Sequence, residues 1–95
     1  MEAPIETNDT KTVPARAEVS EWMIAYVVSA LGIQRDDFSP EARFDSYGLD
    51  SAELVIMTGI MEEQFNIEID PELLFETPTV TGVLDNLVAA GTVRP

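Results

Sequence analysis

Apolar positions in this chain recur at helical spacing in three blocks. Val19, Trp22, Met23, Tyr26, Val27, Ala30 and Leu31 fall at i, i+3, i+4, i+7, i+8, i+11 and i+12. That spacing predicts an amphipathic helix with one wide apolar face. Pro14 suits the first turn of such a helix, and Gly32 stands where one commonly stops. Leu54, Met57, Ile60, Met61 and Phe65 form the core stripe of a second helix, running from about Ser51 to Phe65 and stopped by Asn66. Val80, Val83, Leu84, Leu87 and Val88 predict a third long helix, capped by Thr79 and ended by Gly91. Asp70-Pro71 supplies a cap and a first-turn proline for a short helix, Pro71 to Glu76, which Thr77-Pro78 breaks. Ile67-Glu68-Ile69 alternates, but three residues do not make a strand in an otherwise helical chain.

The stretch from Ile33 to Gly48 shows no period. A connection this long is uncommon in a compact domain. Its apolar residues, Phe38, Phe44 and Tyr47, with Leu49 just beyond, are expected to pin it across the helix ends, with a short turn at Pro40-Glu41-Ala42. Apolar helix faces must close on one another. The expected fold is therefore all-α: a small antiparallel four-helix bundle, three helices long and one short, with a long loop between the first and second. Residues 1–13 mix polar residues and proline without period and read as a disordered tail. Residues 14–91 form the domain, and 92–95 a C-terminal tail.

Composition narrows the function classes. A chain of 95 residues makes one small domain, and 45% hydrophobic content supports a true core. Five basic residues against eighteen acidic give a net charge of −13. Such a surface repels nucleic acid and anionic lipid, which require Lys and Arg. It either attracts basic partners or simply keeps the protein dissolved; charge alone leaves both open. There is no cysteine, which is compatible with a reducing, cytoplasmic compartment. No stretch is long and apolar enough to span a bilayer, and the first residues lack the pattern of a signal peptide. The chain is expected to act as a monomer. Trp22 and Tyr26 read as core residues, since no basic groove accompanies them. Asp36, Asp37, Asp45 and Asp50 do not match the spacing of a calcium loop.

Catalysis has no obvious machinery. Neither His nor Cys occurs, and no pattern of Lys or Arg offers a serine its base. Gly48-Leu49-Asp50-Ser51-Ala52 is not a Gly-x-Ser-x-Gly elbow. Glu62 and Glu63 are adjacent on a helix and diverge, so they cannot flank one substrate. The chain reads as a non-enzyme.

One stretch does carry chemistry. In Tyr47-Gly48-Leu49-Asp50-Ser51-Ala52-Glu53, Asp50 can cap the second helix and Glu53 can reach back to it. Gly48 permits a sharp turn just before. Ser51 would then stand at the helix start, hydroxyl outward, beside the positive end of the helix dipole, which favours phosphate. Taken alone, a serine in such an Asp-Ser pair is ordinarily just part of a cap.

The wider pattern resembles the acyl carrier proteins. The resemblance covers Gly48-Leu49-Asp50-Ser51, the apolar helix with Glu62, Glu63 and Phe65, Ile67 to Pro71, and Leu74-Phe75-Glu76-Thr77-Pro78-Thr79-Val80. It implies that Ser51 carries a covalent 4′-phosphopantetheine arm, delivered by a phosphopantetheinyl transferase. Gly48, Leu49 and Asp50 would complete the recognition motif. The arm would hold acyl intermediates as thioesters for partner enzymes of polyketide or lipid biosynthesis. Leu74 to Val80 looks like polyketide-synthase carriers. Ser51-Ala52-Glu53 with Thr58 to Glu62 is similar to carriers loaded by fatty-acyl-AMP ligases, although Ala52 departs from the common Asp-Ser-Leu. The alternative is an acidic helical interaction module that is never modified.

Two further expectations concern the second helix. Met57 and Met61 are adaptable side chains that could repack around an acyl chain between the helices, or merely fill an ordinary core. Ala52, Val55, Ile56 and Gly59 fall on a second apolar arc, extended by Glu63. That arc is expected to dock partners, with Glu62 and Glu63 as a charged rim. The competing reading buries it under the first loop through Phe44 and Tyr47.

Overall fold

The computed structural model describes residues 13–95; the tail expected over residues 1–13 lies outside them, apart from Val13. Four helices make the bundle: α1 Arg16–Leu31, α2 Ser51–Phe65, α3 Glu72–Glu76 and α4 Val80–Ala89. Two short 3-10 turns, Arg35–Asp37 and Phe44–Tyr47, punctuate the long first loop. They occur on either side of the expected turn at Pro40, where Ala42 N–H donates to Ser39 O at 3.2 Å.

Each boundary has a local cause. α1 stops because Gly32 adopts the left-handed conformation at φ 70°, sending its N–H to Val28 O, with Ile33 N–H returning to the same carbonyl. Asn66, at φ 56°, ends α2 by the same device. Thr79 Oγ1 accepts from Gly82 N–H at 2.9 Å and caps α4. α3 is one residue shorter than its sequence suggests, because Asp70 Oδ1 accepts from Glu72 N–H and fixes the start there.

α1 has no side-chain cap. Its first N–H, on Arg16, donates instead to Arg94 O at 2.8 Å, while Arg94 N–H donates to Pro14 O at 2.9 Å. This two-way bridge pairs Ala15 with Arg94 and holds Ala15 extended, so the helix begins two residues later than expected. It also corrects the reading of residues 92–95 as a tail. Val93 is 2% exposed in the core, and Arg94 Nε–H donates to Val13 O.

The core joins Val19, Met23 and Val27 of α1 to Val80, Val83, Leu84 and Leu87 of α4, with Leu54, Met57 and Met61 of α2 closing it. Each such side chain contributes ~1.5–3 kcal/mol on full burial. Ile24 is also buried, whereas Ala30 is exposed and Leu31 half-buried. Trp22 and Tyr26 are not fully core either. They stack at 5.3 Å on the half-buried flank of α1, and Phe65 of α2 meets Trp22 edge-on at 6.0 Å.

The first loop is sewn to the start of α4. Phe44 N–H donates to Pro78 O at 2.8 Å, and Thr81 N–H donates to Pro40 O at 3.0 Å. Phe38, Phe44 and Leu49 are buried as expected. Tyr47 packs on Phe38 at 4.9 Å and accepts from Ser39 N–H through its hydroxyl. The loop therefore holds the ring of Phe44 and the start of α2 against the start of α4.

Gly82 is required by a close approach. A Cβ there would stand 2.9 Å from Thr79 Oγ1 and 3.0 Å from Thr77 Cβ. Gly82→Ala is expected to destabilise the fold by about 1–3 kcal/mol, as overpacking does. In Gly59→Ala nothing lies within 4 Å of the new methyl, so that variant should gain up to ~1 kcal/mol from helix propensity. Urea unfolding of the two variants checks the opposite signs.

Candidate functional site

Three consecutive residues, Gly48 to Asp50, place Ser51, with Glu53 completing the cap. Gly48 takes φ 84° and closes the second 3-10 turn, its N–H donating to Asp45 O. That left-handed step lets Leu49 turn inward, where it is buried. Asp50 follows in an extended conformation and caps α2. Glu53 N–H donates to Asp50 Oδ1 at 2.9 Å, and Asp50 N–H returns to Glu53 Oε1 at 3.4 Å. The reciprocal pair is the capping box expected from the sequence. Ser51 is the first residue of the helix and is exposed. The orphan N–H groups and dipole of a helix start favour an anion there.

Beside Ser51 lies a cleft of about 280 Å³. Phe44, Leu49, Leu54, Leu74, Phe75 and Pro78 make its apolar walls; Arg43, Asp45, Asp50 and Ser51 make its polar side. Phe75 is 51% exposed although it is a large aromatic. Sequence reasoning did not single it out. The signal was present: Leu74 faces the core, and its neighbour on a helix must then point about 100° away.

Arg43 and Asp45 form a two-pronged pair. Arg43 Nε–H and Nη2–H donate to the two carboxylate oxygens, each at 3.1 Å. Those hydrogen bonds, helped by the opposite charges, hold the Asp45 carboxyl below the usual carboxylate range and raise the guanidinium. Both stay charged at neutral pH, and the pair loosens only as acid protonates Asp45. It is exposed, so it adds little to stability.

Met57 and Met61 are 1% and 0% exposed in the closed core and do not line the Ser51 cleft. The apolar space beside the serine belongs instead to Leu54, Leu74 and Phe75. Glu62 is not a free rim charge. Its Oε2 accepts from Ile69 N–H at 2.8 Å, so it braces the turn after α2. Glu63 is exposed.

The second arc of α2 is open. Val55 is 44% and Ile56 57% exposed, and Ala52 and Gly59 share that exposure. The first loop does not cover them. Ile60 belongs with this face rather than with the core stripe, at 39% exposed; the inward position is taken by Thr58, which satisfies its hydroxyl on Val55 O at 2.7 Å. An apolar residue counted at helical spacing from both stripes could not be assigned from the pattern alone.

A wider groove at the other end of α2 is lined by Glu62, Ile67, Glu68, Ile69 and Asp70. Its carboxylates make it hostile to phosphate. Among the described residues no group of three or more His, Cys, Asp or Glu is placed to hold a metal ion, and no helix is long and apolar enough to cross a membrane.

Known proteins resemble this chain in sequence and in fold. A model of the family described as "Phosphopantetheine attachment site" matches residues 21–87. The acyl carrier protein of Chlorobium phaeobacteroides is 30% identical over 76% of this chain and 94% of its own length. Polyketide synthase PksL of Bacillus subtilis is 34% identical over 81% of this chain, which spans only 2% of that protein. A solved free-standing peptidyl carrier protein from Acinetobacter baumannii superposes with a TM-score of 0.70 at 28% identity, covering 80% of this chain and 95% of that one.

Asp50→Ala removes the carboxylate that holds Glu53 N–H. It is expected to cost about 1 kcal/mol, read as a lowered urea midpoint at unchanged slope.

Proposed function

This chain belongs to the phosphopantetheine-attachment family of carrier proteins, and from that premise we propose that Ser51 is its single attachment site and that it carries acyl groups without catalysing their chemistry. The observation that supports this reading is an exposed serine at a capped helix start, beside an apolar cleft. The residues fit the arm. The cleft is small beside ligand pockets of about 300–1,000 Å³, so it suits the arm better than an arm with a long acyl chain. When bound, the arm supplies a terminal thiol that holds acyl groups as thioesters.

The chain's own residues prepare the hydroxyl. The capping box fixes Ser51 at the first position of α2, and buried Leu49 anchors the segment before the cap. The dipole of α2 favours the phosphate once it is joined to Oγ. Asp50, the carboxylate beside Ser51, is committed to Glu53 N–H, and the base that takes the hydroxyl proton is assigned to the phosphopantetheinyl transferase. That enzyme reads Gly48, Leu49 and Asp50 together with Ser51.

The partners proposed are that transferase, an acyl-activating enzyme of the fatty-acyl-AMP ligase class, and polyketide-synthase or other acyl-processing enzymes of the cytoplasm. They dock on Ala52, Val55, Ile56 and Gly59, joined by Ile60, with Glu63 at the edge. The exposure of Val55 and Ile56 supports this face, and the net charge of −13 favours partners with basic rims. An unmodified interaction module would use the same face, and modification separates the two readings.

Ser51→Ala should fold as the parent does and gain no mass on incubation with a transferase and coenzyme A. Mass gain by the alanine variant would remove Ser51 from the role. Ile56→Glu should keep its Tm within a few degrees, because exposed positions usually tolerate change within about 0.5 kcal/mol. Once modified, it should be loaded poorly by the cognate ligase. Loading at the parent's rate would exclude Ile56 from the docking face.

A further inference from the structure

Cations are scarce in this chain, and one of them borders the serine. Arg16 pairs with Asp85 and Arg35 with Glu21, and neither lines the Ser51 cleft. Arg43 does line it. A phosphodiester on Ser51 would bring a permanent negative charge beside Asp45, Asp50 and Glu53, in a chain already at −13. The helix dipole offsets only about half an elementary charge.

Arg43 has donors to spare. Its pair with Asp45 uses the Nε–H and one Nη2–H. A guanidinium carries five N–H donors in one plane, so both Nη1–H groups and the second Nη2–H lie outside that fork. Asp45 fixes the plane from one edge and cancels its own charge within the pair. The outer edge keeps the shape that suits two phosphate oxygens.

The geometry points to Arg43 as the residue that holds the phosphodiester joining the arm to Ser51, with Asp45 as its positioning residue. This inference rests on the proposed modification of Ser51. Holding the phosphate at this edge keeps the root of the arm beside Leu54 and Phe75 and restrains its swing. An Arg43→Lys variant would retain the charge but lose the planar fork.

The test compares apo protein with the form modified by a transferase and coenzyme A, using NMR. Modification should shift the Arg43 Nη resonances and slow their rotation. The ³¹P line of the modified protein should be broad, should narrow in Arg43→Gln, and should narrow partway in Arg43→Lys. Arg35→Gln, away from the cleft, should leave it unchanged. Arg43 resonances unmoved by modification, or the same phosphorus line in Arg43→Gln, would overturn the inference while leaving Ser51 as the attachment site. Absence of any mass gain, read first on the intact protein, would overturn both.

Discussion

The reciprocal hydrogen bonds between Asp50 and Glu53 decide where α2 begins, and so decide what Ser51 is. One residue earlier, the serine would sit in the preceding turn. One turn later, its hydroxyl could fold back on a helix carbonyl, as Thr58 does on Val55 O. The box works only because its neighbours are fixed. Leu49 is buried, Gly48 takes the left-handed step, and Phe44 is tied to Pro78 across the bundle. A surface serine is thus positioned by a chain of contacts that reaches the core within two residues.

Around that point the molecule separates shape from interaction. Met57 and Met61 fill the interior with α1 and α4, whereas Val55, Ile56 and Ile60 are left in solvent on the same helix. The outer face has no structural reason to be apolar. Apolar surface buried against it would recover hydrophobic free energy in proportion to area, and on the docking role proposed above the net charge of −13 favours a basic partner. The cleft at Ser51, walled by Leu54, Leu74 and Phe75, is a separate feature, lined by none of Val55, Ile56 and Ile60.

Much of this was legible in the sequence, because it depends on local signals. The limits of α2, its capping box and its Asn66 stop follow from residues within one turn of each end. The helical period gave the inward face of α4 and, in α1, Val19, Met23 and Val27, but it missed Ile24 and wrongly included Ala30. Other features depend on contacts distant in sequence. The bridge from Arg94 to Pro14 and Arg16 joins the two ends of the domain, and no pattern within residues 92–95 announces it. Glu62 looked like a surface charge until the turn after α2 brought Ile69 N–H to it. Ile60 lies between two apolar arcs, and only the packed bundle determines which one it joins. Met57 and Met61 face inward as their spacing predicts, but the cleft beside the serine is closed on one side by Leu74 and Phe75 of α3, a helix of five residues whose arrangement the period cannot fix.

The central claim is that this fold presents one hydroxyl out of many for modification. Ser46 lies five positions earlier, also exposed, with its hydroxyl committed to Arg43 O at 2.5 Å. Ser51 differs in standing at a capped helix start. Tandem mass spectrometry of the tryptic peptide 44–95, which begins after Arg43 and holds no further cleavable Lys or Arg, after reaction with a transferase and coenzyme A, distinguishes them directly. The account predicts the phosphopantetheine increment on Ser51 alone; an increment on Ser46 or Thr58, or a peptide left unmodified, would contradict it.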